Sequence, residues 1–136
     1  MSEASKRPLI RKVDCVRLYV TSLEAGLAFY RDQLGHELIW RTEVAAGLRL
    51  PDSEAEIVLQ IERREPEVDL LVDSADEAAQ KIQDLGGTVI VQPFDIQIGR
   101  CVVVNDPWGN QLVLLDMSKG TLKTDDDHNV IGNHDG

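Results

Sequence analysis

The chain has 136 residues, 43% of them hydrophobic and 28% charged, enough for one domain with a core and too few for two independent ones. Its net charge of −10, from 24 acidic and 14 basic residues, argues against binding nucleic acid or an anionic membrane through a basic face; it suits solubility or a cationic ligand. No apolar run approaches the roughly 20 residues of a bilayer span, and the opening Met1–Pro8 has no apolar stretch of the kind a secretory signal needs.

Residues 1–10 read as a polar lead-in, loose up to Leu9. Val13–Val20 alternates, with Val13, Cys15, Arg17 and Tyr19 on one face and Asp14, Val16, Leu18 and Val20 on the other, which predicts a strand. Ser22 is a suitable N-cap, and Glu24 sits in the first turn, where the helix dipole favours negative charge. Leu23, Leu27, Tyr30 and Leu34 then share one helical face, and Gly35 stops the helix. Strand-like pieces follow at Glu37–Thr42, Gly47–Leu50 and Glu56–Glu62, the last two separated by Pro51-Asp52-Ser53.

The pattern then restarts. Glu67–Val72 reads as a strand, and Ser74 with Glu77 three residues on as a capping box. Ala75, Ala78, Ala79, Ile82 and Leu85 form a helical face ended by Gly86-Gly87. Thr88–Val91, Arg100–Val104 and Gln111–Asp116 are three more strands. Between the last two, Asp106-Pro107-Trp108-Gly109-Asn110 suits a type I turn: Asp106 at its first position, Pro107 fixing φ at the second, Gly109 at the fourth. The halves share the order strand, helix, three strands, and Leu18–Ser22 aligns with Leu70–Ser74. This predicts an α+β fold of two tandem βαβββ modules, about 12–62 and 67–118, within one domain over 1–118.

Residues 119–136 read as a polar C-terminal tail, in which Thr121–Lys123 and Val130-Ile131 suit a small exposed hairpin. Asp125–Asn129 superficially matches a calcium loop but lacks its Gly at position 6 and Glu at position 12. Cys15 and Cys101 each lie in an apolar run; they fit a reducing cytoplasm, and an even count also permits a disulfide.

Two segments, Val16–Gly35 with its Phe29-Tyr30…Leu34-Gly35 ending and Val104–Leu112 with Asp106-Pro107-Trp108-Gly109-Asn110, resemble the vicinal oxygen chelate superfamily, which includes glyoxalase I, extradiol dioxygenases and bleomycin-resistance proteins. The resemblance covers roughly residues 12–118 and bears on fold, because the superfamily hosts many reactions. It implies an open cup of curled sheet with helices outside and the site inside. Strand alternation then turns Cys15, Arg17, Tyr19, Glu67, Asp69, Leu71, Gln111, Val113 and Leu115 inward, with Gln60 also at the site.

Metal-dependent members of the superfamily bind a divalent ion through His, Gln and Glu. The corresponding positions here are Cys15, Glu67, Val113, and either Val58 or Gln60. Val113 has no donor, Cys15 is soft, and only Glu67 is a plausible hard ligand, so no metal cofactor is expected. His36, His128 and His134 read as surface residues. Arg17 with Glu67 and Asp69 is either a ligand anchor or a structural ion pair across the module seam. Trp108 and Trp40 are either an aromatic wall or cover for apolar surface, and Cys15 is either a nucleophile or an inert buried thiol. The expected function is a cytoplasmic, homodimeric, bleomycin-resistance-like protein that binds a small organic molecule in its cup without metal. The alternative is a metal-dependent lyase, isomerase or dioxygenase with an unusual site, and a third possibility is an assembly subunit whose cup is filled by its own side chains.

Overall fold

β1 (Lys12–Tyr19) runs through the middle of an eight-stranded mixed sheet, seen in a computed structural model that describes residues 7–134. Residues 1–6 of the expected lead-in, and residues 135–136, lie outside the described residues. Module 1 continues with α1 (Leu23–Leu27), a π-helical turn over Ala28–Gln33, β2 (Leu38–Arg41), β3 (Ala45–Arg49) and β4 (Glu56–Gln60). Module 2 is β5 (Glu67–Leu71), α2 (Ala75–Asp84), β6 (Thr88–Ile96), β7 (Gly99–Asn105) and β8 (Gln111–Leu115). The spatial order is β2-β3-β4-β1-β5-β8-β7-β6. Each module pairs its first and last strands in parallel, and the modules join where β1 meets β5 antiparallel. The expected α+β pair of βαβββ modules is therefore the observed architecture.

Both helices start as their sequences require. Ser22 Oγ accepts from Ala25 N, and Ser74 Oγ accepts from Glu77 N. The helices cover the convex face. Leu23 and Leu27 pack with Leu38, Leu48 and Leu59, with Leu18 and Val20 beneath them; Ala75, Ala78 and Ala79 pack with Val72, Val102, Val104 and Leu114. A buried aliphatic side chain of this size stabilises by about 1.5–3 kcal/mol.

The first helix departs from the expected single α-helix over 22–34. Leu34 N donates to Phe29 O, five residues back, which widens the last turn and rotates it. Leu34, expected on the buried face, is consequently 53% exposed. Gly35 still ends the helix, at φ +88°. On α2, Leu85 also leaves the expected face, because it caps the helix outside its last regular turn. β6 runs five residues beyond the expected Val91; it accommodates Pro93 because it is an edge strand with its register shifted there.

The C-terminal segment does not stand free. β9 (Leu122–Thr124) and β10 (Val130–Asn133) form a hairpin. Its turn repeats the hydrogen bonds of the β7–β8 turn. Asp106 Oδ1 accepts from Trp108 N and Asn110 N, and Asp125 Oδ1 accepts from Asp127 N and Asn129 N. His128 takes the left-handed position, φ 68°, that Gly109 holds in the first turn. The hairpin is anchored at both ends: Lys119 N donates to Ile98 O in module 2, and Arg41 N in module 1 donates to His128 O. It thus crosses the concave face of the sheet. No helix among the described residues is long and apolar enough to cross a membrane.

Candidate functional site

The concave face and the C-terminal hairpin enclose a cavity of about 1040 Å³, near the upper end of the range for small-molecule sites. Its wall is organised by one register row that crosses six strands. Glu56 on β4 lies opposite Cys15 on β1, Cys15 opposite Asp69 on β5, and Asp69 opposite Val113 on β8; Val113 then faces Val103 on β7, and Val103 faces Val91 on β6. All six line the cavity. The row changes character at the β5–β8 boundary, from carboxyl, thiol, carboxyl to three valines. Along this row one side of the cup is polar and the other apolar.

Cys15, Arg17, Gln60, Glu67, Asp69, Gln111 and Val113 are brought together in this wall. Tyr19 and Trp108 are not. Tyr19 sits outside the cavity beneath the Arg64 guanidinium, 5.4 Å from its ring centre. Trp108 is 84% exposed at the tip of the β7–β8 turn, so the aromatic wall it was to form with Trp40 is absent. Its place as the third residue of a tight turn throws the indole past the cup's rim. Trp40 does line the cavity, held by a 2.8 Å hydrogen bond from Nε1 to Glu56 Oε1, and its indole crosses Gly47 on β3, where any Cβ would collide with it.

Several lining residues were not among those expected. Alternation puts Asp14 on the opposite face, but a register irregularity between Val13 and Cys15 turns it to the cavity. Glu56 was legible, being in phase with Val58 and Gln60. Thr121, Leu122, Thr124 and Val130 come from the hairpin, whose return over the cup no local signal announces.

Asp69 is the most constrained group. It is 5% exposed; Oδ2 accepts from Cys15 Sγ at 3.4 Å, and Oδ1 has no hydrogen-bond partner among the described residues. Burial, then the neighbouring Glu67 carboxylate, pushes its pKa up to about 8, against the pull of Arg17. Burial also raises Asp14 and Glu56, and pushes the Cys15 thiol far above its ordinary value, with Asp69 adding to it. Glu67 has two cations beside it, Arg17 at 3.8 Å and Arg63 at 3.5 Å. Gln60 is spent on the β4–β5 turn: Oε1 accepts from Glu62 N and Arg63 N, and Nε2 donates to Arg63 O.

These residues do not fit a divalent ion. Val58 and Val113 have no donor atom, the Gln60 amide is occupied, and Cys15 offers a soft sulfur where a hard divalent ion prefers oxygen or imidazole. Among the described residues no three His, Cys, Asp or Glu side chains converge to hold a metal.

The profile of the Glyoxalase/Bleomycin resistance protein/Dioxygenase superfamily matches residues 12–114. Methylmalonyl-CoA epimerase from Mycobacterium tuberculosis is similar in structure, with a TM-score of 0.69 at 19% identity over 85% of this chain and 96% of that one. The Streptomyces coelicolor methylmalonyl-CoA epimerase gives 0.65 at 20% identity, over 80% and 99%. Homoprotocatechuate 2,3-dioxygenase from Brevibacterium fuscum gives 0.60 at 24% identity over 81% of this chain but 37% of that longer one. At these identities the likeness is one of fold. Among curated proteins, none matches.

Proposed function

Because the chain belongs to the Glyoxalase/Bleomycin resistance protein/Dioxygenase superfamily, we propose that it binds a small organic molecule in its cup without a metal, with Arg17, Glu67 and Asp69 as polar anchors. The observation that carries this is Asp69 Oδ1. A buried polar atom without a partner costs free energy, and Asp69 lines the cavity in which a ligand would supply that partner. The donor set at the positions the family uses for metal supports the metal-free part. Native mass spectrometry with elemental analysis tests both parts: a retained organic mass without stoichiometric metal is expected. Dialysis against a chelator leaves the melting temperature unchanged. Stoichiometric metal lost together with thermal stability overturns the reading in favour of a metal-dependent enzyme.

The protein acts in the cytoplasm, a reading supported by two free, buried thiols. It acts as a homodimer, a reading supported by the two sheet edges, β2 and β6, that an open sheet leaves to be covered. Sedimentation equilibrium at roughly tens of micromolar is expected to show the dimer, and a monomer there removes this part.

A further inference from the structure

We propose that the cup takes a hydrophobic amine or quaternary ammonium, its cationic head between Glu56 and Asp69 and its hydrocarbon body on the valines of β6, β7 and β8. The proposal rests on the reading of the cup as a ligand site and names the class of ligand.

The charge balance of the wall is the first ground. Five carboxyl groups line the cavity, Asp14, Glu56, Glu62, Glu67 and Asp69, against two cations, Arg17 and Arg63. Both arginines are drawn to Glu67. Among the described residues neither Asp14, Glu56 nor Asp69 is in an ion pair. Lys12 on β1 and Arg49 on β3, the register partner of Glu56, pair with Glu54 and Glu37 instead.

Placement is the second ground. Glu56 and Asp69 occupy the same register row on either side of β1, so a cation seated over Cys15 meets both. Asp69 lines the cavity, and its buried Oδ1 has no hydrogen-bond partner among the described residues. The Trp40 indole, held against Glu56, adds an aromatic surface of the kind that attracts cations. Burial disfavours the ionised form of all three carboxyls, so Asp69 holds its proton in the free protein at neutral pH and gives it to solvent when a cationic head binds beside it. An anionic head meets the opposite field.

The apolar half is the third ground. Beyond Asp69 the row is Val113, Val103 and Val91, continued by Ile96 and Leu115 and roofed by Leu122 from the hairpin. Hydrocarbon there loses water without any polar group to satisfy.

Calorimetric titration of the full chain with decyltrimethylammonium, decanol and decanoate, which share one hydrocarbon body, tests the proposal. One-site binding in the order cation, alcohol, carboxylate is expected. Asp69→Asn and Glu56→Gln each weaken the cation by about tenfold or more and leave decanol within about twofold. Glu77→Gln, on the exposed side of α2, controls for the overall negative charge and leaves all three unchanged. If Asp69→Asn does not fold, Glu56→Gln carries the test. Decanoate binding as tightly as the cation, or cation affinity unchanged in the variants, overturns the proposal while the cup remains a ligand site. If none of the three binds, the reading of the cup falls and the proposal with it.

Discussion

The Cys15 thiol donates to the Asp69 carboxyl across 3.4 Å, joining the first strands of the two modules at the floor of the cup. Neither group is comfortable there. The thiol raises no charge of its own, and the carboxyl stays protonated well above the range in which a free aspartate ionises. That pair sets the pH behaviour expected of the protein.

Asp69 has a folded-state pKa of about 8, above its unfolded value of about 3.9. The native state therefore holds more protons between those values, and the contribution of Asp69 to stability falls as pH rises through that window. Thermal melts from pH 5 to 9 are expected to show wild type losing stability relative to Asp69→Asn as pH rises. A constant difference between the two would contradict a raised Asp69.

Both thiols are held protonated by burial, Cys101 up to about 12 and Cys15 further. Reaction with a disulfide reagent at about pH 8 needs thiolate. The native protein is expected to react slowly at both positions, and both react at once in denaturant. Rapid modification of Cys15 in the native state would revive its reading as a nucleophile.

Arg17 and Glu67 form a long, half-buried ion pair, with side chains 28% and 19% exposed, and Arg63 stands by as a second cation. Arg17→Ala should therefore cost about 1–2 kcal/mol, between the limits for exposed and buried pairs. Glu67→Gln should cost less than the 3–5 kcal/mol of a stranded buried charge. Denaturant melts measure both, and a loss above that range assigns Arg17 to the seam rather than to the ligand.

Asp116 fastens module 2 together. It is 3% exposed, and its carboxylate accepts from Ala75 N at the start of α2, from Arg100 N on β7, and from Ser118 N and Oγ. Burial alone would raise its pKa, but these donors outweigh it and hold the group below its ordinary value. Its stabilisation is thus present above pH of about 4 and lost as pH falls through the lowered folded pKa. Asp116→Ala should cost about 3 kcal/mol at neutral pH by orphaning the buried Ala75 N–H. Asp116→Asn recovers part of that. Urea melts at pH 7 and pH 3 should show the wild-type advantage shrinking in acid.

Local chemistry in the chain determined its elements. Ser22 and Ser74 start the helices, Gly35 ends the first, Asp106-Pro107 turns the β7–β8 hairpin, and period-two alternation marks the strands, so the duplicated module is readable without coordinates. Alternation also determined which face Cys15, Arg17, Glu67 and Asp69 present. It did not determine which residues share a row, because register between strands some fifty residues apart is set by packing of the two helix-covered cores. Tertiary structure alone placed Glu56, Cys15 and Asp69 in line and followed them with three valines. It alone turned Asp14 inward through an irregularity in β1, and widened the end of the first helix so that Leu34 left the core. Tertiary structure also folded the polar C-terminal segment back as a wall of the cup, because its backbone finds partners at Arg41 and Ile98. Those partners lie in different modules, at opposite ends of the strand order, so no local stretch of sequence announces them.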